Sequence, residues 1–182
     1  MLTEKQIKNL NDKFKSLSKA QKRVLIAKDV IAQVKTKKYK AITGSYISNA
    51  YFLNKYNLED SIQNRIDEVY CECCALGACL LSTTKFKNKL TFGDVFGSGG
   101  LTAYNDSWGL LREVFTPNQL TLIEDAFEAG AGGSRVGVMR GSKTTNKERV
   151  KSTNFGLAYV TNKRRILGIM KNIIKNNGTF KP

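Results

Sequence analysis

The sequence predicts a single, mainly helical domain spanning residues 1–182, with a few short strands as minor elements and a flexible, glycine-rich basic loop over residues 130–153. Three observations carry this. Helix-start signals recur along the chain, apolar residues follow them at helical period, and a 41% hydrophobic composition suffices for one core at this length. Thr3-x-x-Gln6 opens the first helix as a capping box, in which a hydroxyl accepts a first-turn amide and the Gln reaches back; Ile7, Leu10, Phe14 and Leu17 follow. Ser18-x-x-Gln21 repeats the device ahead of Ala20, Val24, Ala27, Ile31 and Val34. Tyr46 to Leu53 is a weak strand candidate. The longest stripe, Ile62, Ile66, Val69, Cys73, Leu76 and Leu80, predicts a central helix from Asp60 into the Thr83 region, where Ala75 and Ala78 would admit a close neighbour.

Gly93 to Gly100 reads as a loop. Thr116-Pro117-Asn118-Gln119 is a third capping box, with Pro at the first helical position, before Leu120, Ile123 and Phe127. Gly130 to Gly141 then runs on into SKTTNKERVK, and Val136 to Arg140 is a second weak strand candidate. Its GVMRGSKT is not a phosphate-binding loop of the Walker type, because three residues rather than four separate Gly137 from Gly141, and Ser142 precedes the Lys. The last helix should start at an N-cap Thr161 and stop at Gly178, with Ile166, Ile169, Met170 and Ile173 inward and Arg164, Arg165, Lys171 and Lys175 on the other side.

Charge is sorted along the chain. Residues 1–40 hold 12 Lys/Arg against 3 Asp/Glu, residues 41–134 hold 6 against 11, and residues 135–182 hold 12 against 1, for a net +15. Two basic arms flank an acidic middle, and a charge this far from zero points to an anionic partner, nucleic acid first. The expected contacts are Arg135, Arg140, Lys143, Lys147, Arg149 and Lys151 in the loop, read as a cationic finger that orders on phosphate, and Arg164, Arg165, Lys171 and Lys175 on the last helix.

The chain has no histidine, which excludes the commonest general base and every Ser-His or Cys-His nucleophile. Cys71, Cys73, Cys74 and Cys79 crowd one segment, useless as a disulfide framework; on one helix they would point at about 0°, 200°, 300° and 80°, where no tetrahedral zinc site closes. They read as small buried hydrophobes, and no metal site is expected from them. Carboxylates remain: Glu68 with Glu72 and Glu124 with Glu128 are spaced i,i+4 and could hold Mg²⁺ or Mn²⁺ in a nuclease; no other cofactor is implied. The alternative role of these acids is to pair with the basic arms. With neither an apolar leader nor a run of membrane-spanning length in the sequence, a cytoplasmic location is expected.

Four blocks, KRVLIAKDVIAQ, CECCALGACLLS, REVFTPNQLTLIEDAFE and RILGIMKNIIKNNGTF with Pro182 following, resemble a group of small proteins encoded in phages and prophages. Within that group the Lys- and Asn-rich chain is similar to streptococcal-type anti-CRISPR proteins directed at type II-A Cas9. The resemblance implies an inhibitor whose partner is Cas9 or its guide RNA, in a bacterial host. Charge then separates two modes: a DNA mimic must be acidic, so a chain of +15 should act on the guide RNA, by binding it, displacing it or promoting its truncation. A phage DNA-binding or regulatory accessory protein, and a scaffold for an acidic protein surface, are the other classes compatible with the charge.

Overall fold

All four expected N-caps form. In a computed structural model, which describes residues 2–51, 59, 61–65, 70–87, 90–96, 107–129 and 139–182, Thr3 caps α1 (Glu4–Ser16), Ser18 caps α2 (Lys19–Lys35), Thr116 caps α7 (Pro117–Glu128) and Thr161 caps α9 (Asn162–Lys175). The described residues also contain β1 (Tyr39–Ala41), β2 (Ile47–Tyr51), α3 (Ile62–Arg65), β3 (Tyr70–Cys73), α4 (Ala75–Phe86), α5 (Phe92–Phe96), α6 (Ser107–Arg112) and α8 (Asn146–Leu157). The fold is thus mainly helical with one small sheet. Strand order is β1-β3-β2; β1 runs parallel to β3 with Tyr39 opposite Cys71, and β2 antiparallel with Ile47 opposite Cys73.

The central helix is α4, and it starts later than the stripe suggests. Tyr70–Cys73 is a strand in which Cys71 and Cys73 face the core while Tyr70 is exposed and Glu72 half-buried, a period of two hidden inside an apparent period of 3.6. Cys74 ends the strand in an extended conformation and its Sγ accepts from the Gly77 amide, so it is an N-cap. Gly77 is required there: a Cβ would stand 1.8 Å from the Tyr46 carbonyl oxygen. From Ala75 onward every residue of α4 except Lys85 is buried, because α1, α2, α3, α6 and α7 all pack around it. Ile66 and Val69, the middle of the expected stripe, lie outside the described residues. Of the expected loop Gly93–Gly100, residues 93–96 belong to α5, started by reciprocal bonds between Thr91 and Asp94, and residues 97–100 are not described. The strand expected at Tyr46 to Leu53 forms as β2; of Val136 to Arg140, Met139 and Arg140 are not strand and the rest is not described.

α9 buries Ile166, Ile169, Met170 and Ile173 completely, each contributing about 1.5–3 kcal/mol of transfer free energy, mainly against α2. The chain after it is tied down. Gly178 takes φ +87°, where a Cβ would meet the Ala20 carbonyl at 2.3 Å, and Arg23 Nε donates to the Gly178 carbonyl at 2.5 Å. Gln119 completes the clamp. Rather than reaching back to Thr116 as a full capping box would, its side chain accepts from the Phe180 amide at 2.6 Å and donates to the Phe180 carbonyl at 3.2 Å.

Candidate nucleic-acid interface

Of the expected finger, residues 139–153 form a folded element, and residues 130–138 lie outside the described residues. Met139 is buried and donates its amide to Thr121 Oγ1, Gly141 turns the chain at φ +86°, and the Lys143 amide donates to Asn118 Oδ1 at 2.7 Å. Thr145 and Glu148 then form a complete capping box and α8 follows, so residues 145–153 are not the flexible loop that glycine and charge suggested. The box T-x-x-E stands in the sequence; the low apolar content of the helix hides it, because α8 buries little more than Ser152 and Gly156. Gly156 lets α8 lie against α7: a Cβ there would stand 1.8 Å from the Ala126 carbonyl. Ser152 Oγ donates to the Leu122 carbonyl across the same contact.

The ten expected nucleic-acid contacts divide into three sets. Lys143, Lys147 and Lys151 on and before α8, and Arg164, Lys171 and Lys175 on α9, are exposed, as is Arg140 in its turn. None of these seven forms an ion pair with a described residue. Arg164, Lys171 and Lys175 fall within about 40° of one bearing and span about 16 Å of helix axis. Lys163, about 100° round the helix from Arg164, is a further exposed cation at the start of α9 that the sequence had not singled out.

Two arginines are held by partners inside the fold. Arg149 makes a bidentate pair with Asp125 of α7, at 2.8 and 2.7 Å, and Asp125 is buried. Arg165 is 4% exposed and donates to the carbonyls of Phe127, Gly156 and Tyr159 and to Asn162 Oδ1, gathering the C-terminal ends of α7 and α8 onto α9. It stands about 100° round the helix from Arg164, on the side of the core. Burial lowers its pKa and the nearby Glu128 carboxylate partly offsets this. Arg135 lies outside the described residues.

Among the described residues the candidate catalytic acids do not assemble as carboxylate pairs facing an open surface. Glu72 is on β3, ion-paired with Lys40 at 2.5 Å, and not on a helix with Glu68, which lies outside the described residues. Glu124 is 3% exposed; its Oε1 accepts from the Tyr46 hydroxyl at 2.6 Å and its Oε2 is buried without a partner. Burial pushes its pKa up to about 7, with the Tyr46 hydrogen bond and Arg149 opposing and Glu128 and Asp125 adding. Glu128 Oε2 accepts from the Gly44 amide at 2.9 Å; burial raises this group too, and that bond opposes it. Both acids therefore anchor the β1–β2 connection on α7, a role reached through Gly44 and Tyr46 that residue spacing does not reveal. One of these acids does pair with a basic segment as the alternative expected, Glu72 with Lys40; the other such pair, Asp125 with Arg149, involves an acid that had not been singled out.

Cys71, Cys73, Cys74 and Cys79 are all buried, with free thiols, on a strand, a cap and a helix rather than around one helix. Burial pushes Cys79 up to about 12 and raises Cys74; Cys73 is raised by its hydrogen bond with Cys71 and by burial. Among the described residues no group of three acids or thiols could hold a metal ion, and no helix is long and apolar enough to cross a membrane. Comparison with protein-family models, with curated proteins and with solved structures returns no match.

Proposed function

We propose that the chain binds RNA through the exposed cations of α8 and α9 and, in keeping with the resemblance of its sequence blocks, inhibits a type II-A Cas9 by acting on its guide RNA in the host cytoplasm. One observation supports this most. Lys143, Lys147, Lys151, Arg164, Lys171 and Lys175 are exposed and form no ion pair with a described acid, while Asp125, Glu124 and Glu128 are consumed inside the fold and Glu148, the one acid of α8, caps its helix at Thr145. A surface with this much uncompensated charge gains by counterion release when it meets phosphates. The mode is binding rather than hydrolysis, because Glu124 and Glu128 are committed to Tyr46 and Gly44.

The test is retention of guide RNA against duplex DNA of equal length over a series of salt concentrations. The reading predicts tighter retention of the RNA, falling as salt rises, and loss of Cas9 cleavage activity when the protein is present before guide loading. Equal or stronger retention of duplex DNA would favour a DNA-binding accessory protein, and no retention of either would remove the nucleic-acid reading.

A further inference from the structure

Four large hydrophobic side chains are exposed among the described residues, and three of them lie within eleven residues of one another: Val150 at 58%, Leu157 at 57% and Val160 at 87%. Val150 and Leu157 are seven apart on α8, within about 20° of one bearing and about 10 Å apart along the axis, and Val160 follows in the turn to α9. The inward side of α8 is occupied by Arg149, Ser152, Phe155 and Gly156, so the row does not belong to the core. Lys147 and Lys151 border it on one side, and Lys163 and Arg164 stand beyond its end, all exposed. The single acid of residues 135–182, Glu148, points about 160° away from Val150 and is committed to Thr145.

We infer that this face of α8 and its following turn is a protein-docking surface, and that its occupant is an apolar segment rimmed by acidic side chains. The inference goes beyond RNA binding. Nucleic acid gains from aromatic stacking and from cations, and three aliphatic side chains offer it neither. A second copy of the chain would set Lys147, Lys151, Lys163 and Arg164 against the same cations, a like-charge juxtaposition that disfavours association. An interfacial membrane face uses Trp, Phe or several Leu over a longer helix, where this row has one Leu and two Val. An apolar centre with an acidic rim complements both the row and its border.

The test uses the full chain and a synthetic amphipathic helical peptide with Leu on one face and Glu on the others, followed by fluorescence anisotropy. The native protein should bind the peptide, and V150S/L157S/V160S should weaken that binding about tenfold or more while leaving single-stranded RNA binding and the melting temperature unchanged. If the triple variant does not fold, V160S alone, at the most exposed position, supplies the same readout with a smaller loss. No peptide binding at millimolar concentration, or binding unaffected by the substitutions, overturns the inference. So does loss of RNA affinity in the triple variant, a concentration-dependent dimer that the variant abolishes, or binding to phosphatidylglycerol–phosphatidylcholine vesicles that it abolishes. RNA binding by the native protein decides the proposed function and the behaviour of the triple variant decides this surface, so the two fail separately.

Discussion

Replacing Glu124 by Gln should stabilise the protein progressively as pH rises through neutrality. In the fold its carboxyl titrates near 7 against an ordinary value of 4.5, because it is buried, and the Tyr46 hydrogen bond only partly offsets that burial. A raised acid pKa means that the folded state holds a proton the unfolded chain has released. Its contribution to stability is therefore complete below about pH 4.5 and is lost as pH climbs through about 7. The interval from 4.5 to about 7 corresponds to about 3 kcal/mol, or about 6–12 °C in Tm for a chain of this size. Gln keeps an oxygen for the Tyr46 hydroxyl and removes the ionisation; its amide nitrogen replaces an oxygen already without a partner, a cost that does not vary with pH. Glu128, raised in the same sense, titrates in both proteins, so its own burial drops out of their difference and only its repulsion with Glu124 remains in it. Urea denaturation of both proteins by circular dichroism, from pH 4.5 to 8.5, should show the variant gaining about 3 kcal/mol on the wild type across that range. A difference independent of pH, or one that runs the other way, would show that Glu124 is ionised at little cost in the fold.

Arg149→Ala should cost about 2–3 kcal/mol in the same denaturation assay by leaving Asp125 buried and unpaired, and adding Asp125→Asn should restore part of it. Gly156→Ala should cost a similar amount, about 2–3 kcal/mol, because its methyl group would meet the Ala126 carbonyl at 1.8 Å and push α8 off α7. The four thiols should resist Ellman's reagent in the native protein at pH 8 and react together once it is unfolded in urea, as burial and the raised pKa of Cys73, Cys74 and Cys79 require; rapid native reaction of any one would place it at the surface. Natively purified protein should carry no stoichiometric zinc by elemental analysis.

Local signals in this chain are legible where the chemistry is local. Thr3, Ser18, Thr116 and Thr161 mark helix starts because each hydroxyl meets an amide within its own first turn, and the α9 stripe from Ile166 to Ile173 faces one core. Tyr70–Cys73 misleads because its neighbours β1 and β2, 19 or more residues away, decide that it pairs as a strand, while Cys73, Leu76 and Leu80 still fit a helical wheel by coincidence. Around the candidate site the same boundary holds. That Arg164, Lys171 and Lys175 share a face follows from spacing; Arg165, expected beside them, instead stands about 100° round the helix, buried on the side of the core. That Arg149 belongs to Asp125 and Glu124 to Tyr46 are contacts across 24 and 78 residues, with no local trace. Glycine and charge in residues 130–145 concealed α8, whose stability comes from its capping box and from Gly156 against α7 rather than from an apolar stripe.

The most direct test of RNA binding by α8 and α9 is the salt dependence of guide-RNA affinity for the native protein and for a variant with Lys143, Lys147, Lys151, Arg164, Lys171 and Lys175 all replaced by Ala. These side chains are exposed and unpaired with described acids, so the melting temperature should barely move. Six phosphate contacts removed from a single strand should flatten the slope of log K against log salt by about 4, with affinity falling accordingly at low salt. An unchanged slope and affinity in a folded variant would contradict the account and assign these cations to solvent.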